Sequence, residues 1–349
     1  MIRLPRNQRK WLTTVGSEVC YSEIERILDS HEYWYILSHI KPDGDTLGSA
    51  CALYAAGIER GKRVSWGGAS HVPISYKFLP FIENYKKSGW IDLENYKDEA
   101  PLFICVDTST LDRTVGGLHG LWKIINIDHH ADNMKYGTYY HIEPEASSTS
   151  EVIWSFMKSQ DWEISKVIAV GLYTGLMTDT GNFSFNNTRT ITHHAAADLL
   201  ARGIDSNFIS LAVLGNRTIE GMHIWGIAMA KMRLVGDRKQ IGFSYLTLDD
   251  FRCTGANHGE TEFLVNQLLF IHGVEIAILL IEEVLNVRIS FRSIKGGVSA
   301  GKMARKLGGG GHELAAGATS DKPISEVIPM ILDMIEEEYD KWDSVTEQT

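Results

Sequence analysis

Three times in the first 130 residues, a short, β-prone apolar run ends abruptly in a histidine or an aspartate. Tyr33-Trp34-Tyr35-Ile36-Leu37-Ser38 leads into His39, Leu102-Phe103-Ile104-Cys105-Val106 into Asp107, and Ile124-Ile125-Asn126-Ile127 into Asp128. Continuous apolar runs of this length read as strands buried on both faces of a parallel sheet. Helical patterns at Thr46–Arg60 and Ser150–Ser159 lie between or after them, and the alternation predicts an α/β sheet. Ligands in such sheets bind beyond the carboxyl ends of the strands. Three separate strands are therefore expected to deliver His or Asp side chains to one edge.

The rest of the chain extends this pattern without repeats or low-complexity stretches. Helices are expected near Ser22–Ser30, Ser165–Thr178 and Thr190–Arg202, and Asp205–Lys231 reads as mostly helical. From Leu234 the texture changes. Ile241–Leu246, Glu275–Ile281 and Asn286–Phe291 read as strands, Glu260–Ile271 and Val298–Lys306 as helices, and the acidic tail after Pro323 as helical. A chain of 349 residues has room for two domains. The expected fold is a catalytic α/β domain over 1–200 with a mainly parallel sheet flanked by helices. A helical linker over 201–230 and a smaller α/β domain over 231–349 follow.

The residues at the strand ends carry the chemistry. His39-Ile40-Lys41-Pro42-Asp43-Gly44-Asp45 places one imidazole and two carboxylates in seven positions, a nitrogen and oxygen set that suits Mn²⁺, Zn²⁺ or Fe²⁺ better than Ca²⁺. Read alone, it is also a Pro-Asp-Gly turn. Asp107 can be a functional carboxylate or a helix cap. In Asp128-His129-His130 the adjacent imidazoles diverge. One division of roles makes His129 a metal ligand and His130 a donor to a substrate phosphate, with Asp128 behind them orienting an imidazole. Asp179 follows an apolar helix, where a carboxylate is unfavourable unless a cation compensates. So many acids converging on one edge require neutralisation, and two divalent ions supply it while serving phosphoryl displacement. A second constellation, Gly308-Gly309-Gly310-Gly311-His312, allows backbone N–H groups to approach an anion, and a helix starting after His312 would add positive potential. Upstream, Arg292 reads either as a bidentate phosphate ligand or as half of a surface salt bridge.

Charge and cysteine content narrow the classes. A net charge of −10 argues against long duplex nucleic acid as a partner, though not against a short nucleotide held by metals and a few local cations. The four cysteines form no CxxC pair, so neither a zinc knuckle nor a disulfide framework is indicated. No apolar run is long enough to span a bilayer and the first sixteen residues lack an apolar signal core, so no membrane partner and a cytoplasmic location are expected.

Taken together, the segments HIKPDGDTLGS, VDTS, IDHH, TGLMTDTGNF and GGGGH-x-x-AAG, in that order between Tyr33 and Ala318, resemble the DHH phosphoesterase superfamily in its DHH–DHHA1 branch. Within it, the chain is similar to the nano-RNase/pAp phosphatase group. The resemblance implies removal of 5′-mononucleotides from short RNA or DNA oligonucleotides or dinucleotides, with dephosphorylation of pAp in several members. Related proteins hydrolyse linear or cyclic dinucleotides such as pApA or c-di-AMP. By motif, one Mn²⁺ would take His39, Asp43 and Asp107, and a second would take Asp45, Asp107, His129 and Asp179, with Asp107 bridging. His130 and Asp128 would serve catalysis, His130 at the scissile phosphate. Arg292, Gly309, Gly310 and His312 would hold the far phosphate or base. One departure stands out: many relatives carry a basic residue where this chain has Ser184, and Arg189 is the candidate to replace it. A nucleotide sensor without turnover is the rival reading, and the presence of every expected ligand favours catalysis. A homodimer is left open.

Overall fold

The computed structural model describes residues 16–88, 100–116, 118, 123–215, 217–261 and 263–346, with side chains to 339. It divides into two compact units, 1–216 and 217–349.

Among its described residues the first unit has seven strands: β1 (Ser17–Glu18), β2 (Tyr33–Ser38), β3 (Arg63–Gly68), β4 (Tyr85–Lys87), β5 (Leu102–Val106), β6 (Ile124–Asp128) and β7 (Tyr139–Ile142). Their order is β1-β7-β6-β5-β2-β3-β4, and every pair is parallel. The three strands singled out by sequence, β6, β5 and β2, are direct neighbours, so His39, Asp107 and the residues after Asp128 emerge side by side. Both faces of these strands are buried, as their unbroken apolar runs require. Trp34, Ile36, Leu102, Ile104, Val106, Ile125 and Ile127 join the main core, while Tyr35, Leu37, Phe103, Cys105 and Ile124 pack on the other face with Val115 and Tyr136.

Among the described residues, six α-helices flank this sheet: α1 (Tyr21–Asp29), α2 (Gly44–Glu59), α3 (Thr149–Ser159), α4 (Lys166–Asp179), α5 (Thr190–Leu200) and α6 (Ser206–Ser210). Side-chain caps fix several of these starts. Asp43 caps α2, Ser148 caps α3 and Ser165 caps α4. Helices α2 and α4 approach at Gly48 and Gly171; a Cβ on Gly48 would lie 2.3 Å from the Gly171 carbonyl oxygen. Helix α4 runs one residue further than expected, so Asp179 is its last residue rather than the first beyond it.

The second unit opens with α7 (Ile219–Ala230). The segment 201–230, expected as a linker, is thus shared: its first part ends the first unit, while Ile224 and Ala228 of α7 are fully buried in the second unit's core. Then come β8 (Arg233–Val235), β9 (Ile241–Leu246), α8 (Leu248–Thr254), α9 (Leu264–Leu269), β10 (Ile276–Glu282), β11 (Val287–Ser293), α10 (Ala300–Lys306), β12 (Gly310–Gly311), β13 (Ala315–Ser320) and α11 (Ile324–Thr346). The six strands form a smaller sheet in the order β12-β13-β11-β10-β9-β8, antiparallel except for β9 with β10. Residues of α10 and α11 fill the core on one face, and residues of α7, α8 and α9 that on the other. The helix expected over Glu260–Ile271 is shorter, because Phe263 adopts a left-handed φ of 62° and separates a 3₁₀ turn, His258–Thr261, from α9. Among the described residues no helix is long and apolar enough to cross a membrane.

Candidate metal centre

At the end of β2, His39 is turned by its own neighbour: Nδ1 lies 2.8 Å from the Ile40 carbonyl oxygen. A donor bond there leaves Nε2 as the basic nitrogen. Nε2 sits 3.5 Å from Asp43 Oδ2 and 3.4 Å from Asp107 Oδ2. Asp43 divides its carboxylate between two tasks. Oδ1 caps α2 by accepting the Asp45 and Thr46 N–H groups at 3.2 and 3.1 Å, and Oδ2 faces His39. His39, Asp43 and Asp107 thus offer one compact donor group.

A second group joins it through Asp107. His129 Nδ1 lies 3.2 Å from the Ala146 carbonyl, and its Nε2 is 3.2 Å from Asp179 Oδ2 and 3.6 Å from Asp107 Oδ1. Asp45, His129 and Asp179 form the second compact group. Asp107 lies between the two, with Oδ2 toward His39 and Oδ1 toward His129. Its backbone sits at φ 56°, left-handed for a residue with a side chain, and its N–H is held by the Ile127 carbonyl at 3.0 Å.

The electrostatics explain what such a cluster needs. Burial, with Asp107 and Asp179 beside it, pushes the Asp45 carboxyl well above the usual range. Burial also raises Asp107, despite the pull of His39. Both His39 and His129 resist the desolvation that would neutralise them, because carboxylates surround them. Their basicity rises, His39 to about 10. Buried carboxylates and imidazoles set this close together favour a divalent cation, whose binding displaces protons from such donors. Imidazole nitrogens and carboxylate oxygens gathered around a shared carboxylate are the donors that a pair of first-row divalent ions takes. The residues therefore fit the expected metals.

Asp128 is arranged differently. It is fully buried. Oδ1 accepts the His129 and His130 N–H groups at 2.7 and 3.2 Å and faces His130 Nδ1 at 2.7 Å, while Oδ2 accepts Asn133 Nδ2 at 2.6 Å. Burial would raise this carboxyl, but His130, His129 and Asn133 outweigh it and hold it near 2. The same contact keeps His130 more basic than an ordinary imidazole even though burial opposes its charge.

Sequence reading passed over residues 146–150. The Ala146 carbonyl receives His129, the Thr149 and Ser150 N–H groups bind the two oxygens of Asp45 at 2.6 and 2.9 Å, and Thr149 Oγ1 donates to Asp107 Oδ1 at 3.2 Å. The available signal was the cap: Ser148 followed three residues later by Glu151 marks a helix start, and exposed N–H groups there attract carboxylates.

In the second unit the placement of the expected residues differs from a helix-borne anion site. No helix follows His312; the chain turns there into β13, with His312 N–H bonded to the Ala315 carbonyl at 2.8 Å. The small residues that follow His312 belong to a hairpin partner, and alternation along β13 buries Ala316 and Ala318. Arg292 is opposite Ala315, Ser290 opposite Gly317, and Gly317 opposite Gly310, so Arg292 on β11 and Gly310 on β12 flank β13 from its two sides. Gly309 is required by close approach: a Cβ would fall 2.2 Å from the Gly317 oxygen. In the first unit, Ser184 donates to the Gly181 carbonyl at 2.5 Å, and Arg189 Nη2 is bound to Glu151 Oε1 at 2.6 Å. Arg189 is thus committed to a buried carboxylate, which accounts for its presence without a phosphate.

Comparison with known proteins agrees with this architecture. Residues 34–176 match the DHH family, N-terminal domain, and residues 242–341 match the DHHA1 domain. The chain is 32% identical to the bifunctional oligoribonuclease and PAP phosphatase NrnA of Thermus thermophilus, covering 87% of this chain and 89% of that protein. It is 28% identical to the protein of the same description from Bacillus subtilis, over 85% of this chain and 92% of the other. Among solved structures, an exopolyphosphatase-related protein from Bacteroides fragilis superposes with a TM-score of 0.81 at 25% identity, covering 94% of this chain and 97% of that one.

Proposed function

Because the chain belongs to the DHH family of phosphoesterases and carries a DHHA1 domain, we propose that it is a cytoplasmic two-metal enzyme. In this reading it cuts short oligonucleotides and dinucleotides to 5′-mononucleotides and removes the 3′-phosphate of pAp. The observation that carries this reading is the pair of donor groups sharing Asp107. His39, Asp43 and Asp107 would hold one ion, and Asp45, Asp107, His129 and Asp179 the other; Mn²⁺ suits these donors. Two such ions supply activation of water and neutralisation of phosphate charge. The chain's own groups do the rest. With Nδ1 tied to Asp128, His130 would present its other nitrogen to a scissile phosphate oxygen, and its raised basicity favours the donor form. Asp128 acts through His130 as a positioning residue. Arg292, Gly309, Gly310 and His312 would bind the part of the substrate away from the cut. The acidic net charge supports short substrates over long ones.

The test is a rate comparison on purified protein with Mn²⁺ over RNAs of two to five residues, a long RNA, pApA, c-di-AMP and pAp. Release of mononucleotides is expected from the short RNAs, with phosphate from pAp. Exclusive turnover of c-di-AMP and pApA would move the assignment to a dinucleotide phosphodiesterase, and all substrates remaining intact would overturn the enzyme reading in favour of a sensor.

A further inference from the structure

Asp45, Asp107 and His129 come from three separate elements, yet each bonds to the same strip, residues 146–150. Asp179 reaches that strip through a residue outside every motif, Asn187, in the loop between α4 and α5. Asn187 Nδ2 donates to the Ser147 carbonyl at 3.0 Å and to the Asp179 carbonyl at 3.0 Å. One amide group thus joins the backbone beside Ala146, which fixes His129, to the backbone of Asp179. The two side chains so aligned stand 3.2 Å apart, His129 Nε2 to Asp179 Oδ2.

Asp179 needs such a restraint. It closes α4, where the dipole disfavours a carboxylate; the turn after it takes the Leu176, Met177 and Thr178 carbonyls, and Asn187 takes that of Asp179 itself. Asn187 is used here as a donor only: its buried Oδ1 has no partner, and both of its bonds go to carbonyl oxygens.

We infer that Asn187 is a positioning residue for the second metal-binding group, setting Asp179 against His129 by pinning the end of α4 to residues 146–150. The inference rests on the two-metal reading above. A role confined to folding the loop would leave metal affinity untouched or weaken both ions alike; a positioning role weakens one.

The experiment titrates Mn²⁺ into the metal-free full chain and follows the free ion by its electron spin resonance signal. Wild type is expected to bind two ions. Asn187→Ala, and the volume-preserving Asn187→Asp that lacks the donors, are expected to bind one ion normally and the other tenfold or more weakly, roughly the effect of losing an outer-shell partner. In a His39→Asn background, where the second group remains, the same weakening should persist. Thr188→Val, which removes a buried hydroxyl without a partner in the same loop, should leave both affinities unchanged. Unchanged affinities in Asn187→Ala, or equal weakening of both, overturn the inference. If Asn187→Ala fails to fold by circular dichroism, Asn187→Asp decides by the same criterion, and failure of both to fold assigns Asn187 to folding and overturns it as well. Fewer than two ions in the wild type overturns the two-metal reading itself, and that result needs no variant.

Discussion

Asp107 and Asp128 are both buried aspartates at the ends of adjacent strands, and their partners separate them. Asp107 turns its two oxygens toward two different imidazoles, whereas Asp128 gives both to N–H donors of its own loop and to Asn133. Different losses follow. Asp107→Asn is expected to bring Mn²⁺ binding below two ions and to lower turnover by well over about 10²-fold, beyond the range of outer-shell changes. Asp128→Asn is expected to retain both ions and lose about 10- to 100-fold in kcat, because His130 is released without a ligand being removed. Metal titration beside steady-state kinetics checks both, and an Asp128→Asn enzyme that no longer binds two ions would make Asp128 a ligand.

Helix starts and helix crossings decide where the donors sit. Asp43 is at once the cap of α2 and a neighbour of His39. Asparagine caps as well as aspartate does, so Asp43→Asn is expected to keep the start of α2 while removing the charge that faces His39, lowering the stability of the metal-free protein and weakening metal binding. Thermal unfolding of the metal-free protein and Mn²⁺ titration read the two effects separately. Gly175 in α4 is needed for close approach. A Cβ there would meet Ser150 Oγ at 2.0 Å and Asp45 Oδ1 at 2.5 Å. Gly175→Ala is therefore expected to cost about 1–3 kcal/mol by overpacking, and to weaken the ion served by Asp45. Urea denaturation of the metal-free protein measures the first; an unchanged midpoint would show that α2 and α4 have room the geometry denies.

At the scale of the molecule, two units with separate cores answer to different conditions. The donors of the first unit come together only in the folded state, so Mn²⁺ at about 100 times its dissociation constant should stabilise that unit by about 2.7 kcal/mol per site. Chelation should reverse this in a calorimetric scan, and a midpoint indifferent to metal would contradict the centre. In the second unit Glu338, buried on α11, is bonded by Lys302 and Lys306 of α10. Burial alone would raise its carboxyl, but the two ammonium groups hold it below the usual glutamate range. A carboxyl lowered in the folded state contributes stability above its unfolded pKa and loses it as pH falls through the folded one. Wild type should therefore exceed Glu338→Gln in stability near neutral pH, and the difference should close as pH drops below about 4.

What depends on near neighbours is legible in the amino-acid order of this protein. Apolar runs buried on both faces predicted β2, β5 and β6, and their abrupt ends predicted which side chains leave the sheet. The motifs alone single out His39, Asp43, Asp45, Asp107, His129 and Asp179 as donor residues. Periodicity placed α2, α3 and α4 to within one or two residues, because caps and apolar faces are written locally. Where local conformation overrode pattern, as at Phe263 and after His312, the expected helix was shortened or was a strand instead. Which donors share a group follows from the packing of distant segments. That depends on β6, β5 and β2 lying side by side and on glycines letting α4 approach α2. It depends also on residues 146–150 bringing backbone N–H groups to Asp45, over a hundred positions away. A pairing across such a separation leaves no periodic trace, since each partner's own neighbours are unaffected by it. Asn187 is the clearest case: an ordinary loop asparagine in the sequence, it becomes legible only when two carbonyls from distant segments meet its amide.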